Sequence, residues 1–326
     1  MFSICVIGCG YMAREGHGPA YAKYAKEYPG VRLAGCCDLD LQRAEAFRKE
    51  FGFEKAFTDY RAMLEEMMPS VVCLLSPVSA TCELAVDILK KGFSLLLEKP
   101  PGRNREEIGR INAAALEAGV SVRTAFNRRY TPLLLELKKR IAGERIYNIT
   151  YQMYRFNRRD ADFSTTSIHA IDAVKNLAGS DYRNVSLSYQ ELPEHGENVA
   201  NIYLNGEMEN GVFAQLSLVP MGNAVVERVT VNTDQATYFA ELPFWGNPDA
   251  PGRLRKIAAN QMVEDISGAA LVDCCEMYEE SGFYEENRSF FEHLRAGEKP
   301  QNDLPSGIQG VEIADCIRKR ITVYKK

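Results

Sequence analysis

Short apolar runs alternate with amphipathic stretches over the first third of the chain. Phe2–Ile7, Val31–Cys37, Val71–Leu75, Ser94–Leu97 and Val120–Thr124 are brief, rich in β-branched or apolar residues, and bounded by Gly, Pro or Asp. That pattern predicts strands. The segments between them, such as Leu41–Phe51, Ala80–Lys91 and Arg105–Ala118, carry helical periodicity, and glycine follows each of them, at Gly52, Gly92 and Gly119, where a helix C-terminus favours it. Strand-helix alternation at this spacing predicts an α/β fold built on a doubly wound parallel sheet.

After Thr124 the texture changes. Thr131-Pro132 is a helix start, and a second helix is expected over 164–178, closed by Gly179. Strands then dominate: 184–192, 199–205, 212–219, 225–232 and 236–242, joined by polar turns such as Glu209-Asn210-Gly211. This reads as an antiparallel meander. A Pro/Gly-rich stretch over 243–252 precedes two expected helices, 284–296 and 306–324. The boundary between the two textures divides the chain into a first domain over 1–124 and a second over 125–326.

The length of 326 residues fits two domains rather than one. A net charge of -5, from 39 basic and 44 acidic residues without a block of like charges, excludes an electrostatic footprint for nucleic acid. No apolar run approaches the roughly 20 residues that a membrane span needs. Nine cysteines without a Cys-x-x-Cys pair, and four scattered histidines, give no zinc pattern. The thiols read as small core hydrophobes in a reducing, cytoplasmic setting. Small molecules become the expected partners.

The first strand runs into Gly8-Cys9-Gly10-Tyr11-Met12-Ala13, a G-x-G-x-x-A turn opening a helix. Its glycines permit a tight turn and let a pyrophosphate approach backbone N–H groups at the helix start. The next strand ends at Asp38, whose carboxylate can accept hydrogen bonds from ribose hydroxyls and would repel a 2′-phosphate, favouring NAD. Arg43 nearby leaves NADP open. Asp40 reads as a helix cap. The later strands of the parallel set end at Ser76-Pro77 and Glu98-Lys99-Pro100-Pro101, beyond the carboxyl edge where such sheets bind ligands. An ammonium at Lys99 could hydrogen-bond a reacting oxygen.

Together with Asn127-Arg128-Arg129-Tyr130 and Ile168-His169-Ala170-Ile171-Asp172, these motifs resemble the glucose-fructose oxidoreductase / inositol dehydrogenase (Gfo/Idh/MocA) family over nearly the whole chain. The resemblance implies an N-terminal Rossmann domain, and a C-terminal α+β domain whose large open, mainly antiparallel sheet serves assembly into a homodimer or homotetramer. It implies a terminal helix packing near the cofactor domain. It also implies NAD(P)-dependent chemistry on a sugar, sugar acid or cyclitol. Gly8, Gly10, Tyr11 and Met12 would then cradle the pyrophosphate and Asp38 hold the ribose, with Ser76, Glu98 and Asn127 along the nicotinamide end. Lys99 would contact the substrate hydroxyl and His169 act as general base, a role that suits an imidazole near neutral pH.

Two positions depart from the family pattern. Thr165 stands where relatives carry an aspartate one helical turn before the histidine, and Thr81 where they often carry a histidine. Tyr154, Arg155 and Arg158 precede that helix and would suit a carboxylate or phosphate; the competing reading is a set of structural ion pairs. The expected function is hydride transfer from a secondary hydroxyl to the nicotinamide. The alternatives are an NAD-dependent redox-elimination glycosidase and a catalytically inactive cofactor-binding sensor.

Overall fold

Six apolar strands lie side by side in a wholly parallel sheet. They are β1 (Phe2–Ile7), β2 (Val31–Cys37), β3 (Lys55–Phe57), β4 (Val71–Leu74), β5 (Ser94–Glu98) and β6 (Val122–Ala125), in the order β3-β2-β1-β4-β5-β6. Every residue of β1 and β4 is buried, as continuous apolar strands covered on both faces must be. The crossovers are helices α1 (Gly18–Glu27), α2 (Leu41–Phe51), α3 (Tyr60–Met67), α4 (Val78–Lys90) and α5 (Arg105–Ala118). Their starts follow local chemistry. Asp40, Asp59 and Asn104 cap α2, α3 and α5 through side-chain oxygens, while Gly52 and Gly119 end α2 and α5 in the left-handed conformation. The computed structural model describes all 326 residues, Met1–Lys326.

The second sheet has nine strands. After α6 (Pro132–Arg140) come β7 (Ile146–Phe156), α7 (Ser164–Ala178), β8 (Tyr182–Glu191), β9 (Ala200–Met208), β10 (Phe213–Gly222), β11 (Val226–Thr233), β12 (Thr237–Glu241), β13 (Arg253–Ala258) and β14 (Gln261–Ser267). The chain closes with α8 (Met277–Glu280), α9 (Phe283–Arg295), α10 (Leu304–Arg318) and β15 (Val323–Lys325). The sheet order is β14-β13-β12-β11-β7-β10-β9-β8-β15. One face packs an apolar core beneath residues of α6 and α7. Along β9 and β10 burial alternates, leaving Tyr203 and Phe213 exposed on the other face.

Several features differ from the sequence expectation. The second sheet is mainly antiparallel, as expected, but β7 interrupts the meander, running parallel to β10 with β11 antiparallel on its other side. β7 carries the helix α7 before the chain returns, the kind of connection a parallel neighbour requires. The β13-β14 hairpin turns through Ala259 and Asn260, both at positive φ, without a glycine to announce it. The last helix ends at Arg318 rather than 324. There Arg320 adopts a φ of 55°, and the β-branched run Ile321-Thr322-Val323 passes into β15 against β8.

The chain divides into two compact units, residues 1–126 with 283–308, and residues 127–282 with 309–326. The second unit is therefore not one continuous stretch from 125 to the end. Helix α9 belongs to the first unit, where Phe291 packs its ring 5.2 Å from Tyr24 and 5.8 Å from Phe2. The helix expected over 306–324 to lie near the cofactor domain is split between the units inside α10. Fully buried Phe291 should cost about 3–5 kcal/mol on replacement by alanine. Urea unfolding of Phe291→Ala measures this, and a loss below about 1 kcal/mol would show that α9 is not part of the first core.

Candidate active site

The ligand edge of the parallel sheet is built around a steric constraint at Gly8. Its φ is 96°, and a Cβ there would stand 2.5 Å from the carbonyl oxygen of Leu75 at the end of β4. Only glycine lets β1 turn this close to its neighbour. The backbone N–H of Gly8 bonds Cys37 O at 2.8 Å, so β1 and β2 end together. Gly10 is different: a Cβ there would meet nothing within 4 Å. Its bare side faces open space, as a cradle for an approaching pyrophosphate requires. Ala13, the third small residue of the motif, is buried, while Tyr11 is 64% exposed.

Asp38 ties the end of β2 to this turn. One carboxylate oxygen accepts the backbone N–H of Cys9 at 2.9 Å, and the other accepts that of Asp40 at 3.0 Å. Arg43, on α2, reaches the second oxygen at 3.4 Å and is half exposed. Each oxygen keeps lone-pair capacity for a ribose hydroxyl. Asp40 instead caps α2. The residues present thus fit a dinucleotide, with glycine turn, open cradle and fixed acid in one place.

Farther along the same edge, Ser76 shares a 3.1 Å hydroxyl contact with buried Thr81, which also donates to Pro77 O. Thr81 therefore holds the Ser76 hydroxyl in place. At the end of β5, the Glu98 carboxylate lies 3.3 Å from Nε2 of His17. Burial pushes the Glu98 carboxyl up, but the His17 contact, the Lys99 charge and the Lys99 backbone N–H together hold it below its ordinary value. Sequence reasoning had counted His17 among four scattered histidines. Its signal was its place in the first turns after the glycine motif.

In the second unit, His169 lies buried on α7. Thr165, one turn earlier, donates to the backbone oxygen of Asp162 at 3.3 Å. Asp172, on the following turn, is committed to a bidentate pair with Arg129 at 2.8 and 2.6 Å. It does not stand in for the missing aspartate. Asn127 is likewise engaged: Nδ2 donates to Ser281 O at 2.8 Å and Oδ1 accepts from Arg128 at 3.0 Å.

The arginines expected near substrate are separated. Arg155 enters a buried cluster around Glu227, which also pairs with Arg128 at 3.0 and 3.1 Å and accepts from Tyr151. Strand register explains the arrangement. Glu227 on β11 faces Met153 on β7, so Tyr151 and Arg155 flank it diagonally on the same buried face. Tyr154 projects to the opposite face from Arg155, and Arg158 is exposed and paired with Asp160 at 2.6 Å. These three residues therefore do not form one anion site. No group of three or more His, Cys, Asp or Glu side chains is arranged to hold a metal ion.

A parallel sheet of order 3-2-1-4-5-6, with a glycine turn after its first strand and an acid after its second, has the architecture of a dinucleotide-binding Rossmann fold. Residues 2–126 match the model of an oxidoreductase family with an NAD-binding Rossmann fold. A scyllo-inositol 2-dehydrogenase (NAD(+)) of Bacillus subtilis is 28% identical over 169 residues, 48% of this chain and 49% of that protein. A glucose-6-phosphate 3-dehydrogenase of the same organism is 28% identical over 244 residues, 66% of this chain and 67% of its own. The chain thus spans about half the length of the first relative and two thirds of the second. A Gfo/Idh/MocA family oxidoreductase from Vibrio cholerae shares the fold, with a TM-score of 0.81, 19% identity, and coverage of 99% and 98%. The chain is thus similar to the Gfo/Idh/MocA oxidoreductases, over residues 2–126 through the family model and over nearly its whole length in fold.

Burial pushes the Glu227 carboxyl up, but Arg128 and Arg155 pull it down further, to about 2 from an ordinary 4.5. A depressed acid stabilises the fold above its unfolded value and loses that contribution as pH falls. Stability from this cluster should be complete above about pH 5 and fade towards pH 2. Urea midpoints measured across that window should show the slope, and Glu227→Gln should flatten it while costing about 3–5 kcal/mol at pH 7. An unchanged slope would mean that other acids carry the acid sensitivity.

Proposed function

We propose that the chain is an NAD-dependent dehydrogenase that oxidises a secondary hydroxyl of a sugar or cyclitol. The observation that carries this reading is the Asp38 carboxylate bonded to the Cys9 N–H beside an open Gly10. Gly8, Gly10, Tyr11 and Met12 are assigned to the pyrophosphate, Asp38 to the ribose, and Ser76, Glu98 and Asn127 to the nicotinamide end. Asp38 favours NAD, while exposed Arg43 is the residue through which NADP would be accepted. When bound, the nicotinamide supplies a hydride acceptor. The names of the inositol and glucose-6-phosphate dehydrogenases support a carbohydrate or cyclitol substrate.

Lys99 donates a hydrogen bond to the reacting oxygen and stabilises negative charge on it as the carbinol hydrogen leaves. His169 accepts the hydroxyl proton. Asp172 is paired with Arg129 and is given no part in this exchange. Arg155 and Arg158 are spent on Glu227 and Asp160, which supports an uncharged substrate over a uronate or phosphate. The first unit serves the cofactor and the second the substrate, and the exposed face of the nine-stranded sheet supports assembly into a homodimer or homotetramer. The unpaired cysteines support a reducing compartment such as the cytoplasm.

A second reading is favoured by Thr165 and the committed Asp172. Threonine in place of an aspartate one turn before the base is compatible with transient oxidation, elimination of a glycosidic substituent, and return of the hydride. Leaving-group release without NADH accumulation identifies that chemistry.

A panel of inositols, hexoses, uronates and sugar phosphates separates these outcomes. The expected result is NADH formation with a neutral polyol, reduced at least about 100-fold in Lys99→Met and His169→Asn with NAD affinity retained. Bound NAD without turnover of any substrate would overturn the dehydrogenase reading. Asp38→Ala should weaken NAD by about tenfold or more, since a hydrogen-bonding charge is lost. Titration calorimetry measures this, and unchanged affinity would remove Asp38 from the cofactor site.

A further inference from the structure

His17 is fully buried in the first unit, on a π-turn over Ala13–His17 that follows the dinucleotide motif. A π-turn inserts one extra residue into a helix and is sustained where something requires it. Here it swings an imidazole inward. Gly16 lets an aromatic ring close over it, since a Cβ there would lie 2.8 Å from the Phe283 ring, and the Tyr21 ring lies 5.8 Å away between centroids. Phe283 meets the imidazole edge-on at 5.1 Å between centroids.

A polar ring in such surroundings costs free energy unless both nitrogens are bonded. Both are. Asn287 Nδ2 lies 3.2 Å from Nδ1, and the same amide nitrogen donates to Phe283 O at 2.7 Å, which fixes the amide's orientation. An amide nitrogen has only hydrogens to offer, so Nδ1 accepts and the imidazole proton sits on Nε2, facing Glu98. Glu98 in turn takes the backbone N–H of Lys99. A leucine would fill the same aromatic box without a desolvation cost. The donor is therefore what the site requires, and its acceptor is the residue next to Lys99.

We propose that His17 is a positioning residue, which fixes the Glu98 carboxylate through its Nε2–H and so sets the place from which Lys99 acts on the reacting oxygen. This rests on the role given to Lys99 above. In that role Asn287 fixes the tautomer, and the π-turn couples the dinucleotide turn to the end of β5.

The test combines turnover with a readout from the protein alone. His17→Leu, His17→Gln, Glu98→Gln and the double variant His17→Leu/Glu98→Gln are compared for kcat, polyol KM and NAD Kd. The expected result is a fall in kcat of about tenfold or more in His17→Leu with NAD Kd within about threefold. His17→Gln, which keeps a donor, should recover most of the loss, and the double variant should be no worse than the poorer single. In protein labelled with 15N-histidine and free of cofactor, one imidazole should show the Nε2–H tautomer, vanish in His17→Leu and shift in Glu98→Gln. Wild-type kcat in His17→Leu, additive losses in the double variant, or an Nδ1–H tautomer would each overturn the proposal. An inactive wild type that keeps the Nε2–H signal and its response to Glu98→Gln would count against the Lys99 role instead, leaving the His17–Glu98 contact standing.

Discussion

Space for one methyl group decides the geometry of the first unit. Strands β1 and β4 end so close together that a Cβ on Gly8 would overlap the carbonyl of Leu75. That closeness lets Gly8 bond the last residue of β2 and brings the Cys9 N–H to the Asp38 carboxylate. The acid that would select the ribose and the turn that would hold the pyrophosphate are thereby one rigid piece. A larger side chain would have to separate β1 from β4, and the alignment of every ligand-facing strand end would go with it.

Two buried charge networks extend this order in different ways. In the first unit His17 and Asn287 hold Glu98 beside Lys99. In the second, Glu227 draws Arg128 and Arg155 into the core, and Arg128 holds Asn127 from the next residue. An ion pair buried as Glu227 is with its arginines gains little over an apolar core of the same shape, whereas removing one partner costs several kcal/mol. Both networks include or adjoin residues assigned to the cofactor end, Glu98 and Asn127. Fixing direction, rather than adding stability, is the use that such pairs serve best here.

The first unit was largely legible in the sequence because its rules are local. Continuous apolar strands, the Asp40 cap and C-terminal glycines put β1, β2, α2 and α5 at their observed bounds, whereas three-residue β3 is too short to carry a period. The second unit was less legible. β7 has an alternating pattern, but its buried face includes Arg155, which reads as a polar site residue until Glu227, 72 positions away, is placed opposite Met153. The same long-range pairing dissolves the apparent arginine cluster. His17 escaped for a related reason: its partners, Glu98 and Asn287, are 81 and 270 residues distant. Motif positions identified the candidate residues, and only the tertiary structure revealed which were already engaged.

The proposed activity passes a hydride from a carbinol carbon to a nicotinamide. The most direct measurement uses a polyol deuterated at its reacting carbon, with NAD as acceptor and mass analysis of the reduced cofactor. Direct transfer predicts that the deuterium appears at C4 of the NADH formed, with slower turnover than for the unlabelled polyol wherever the chemical step limits the rate. Deuterium released to solvent, or retained on the sugar while NAD stays bound and unreduced through turnover, would contradict it.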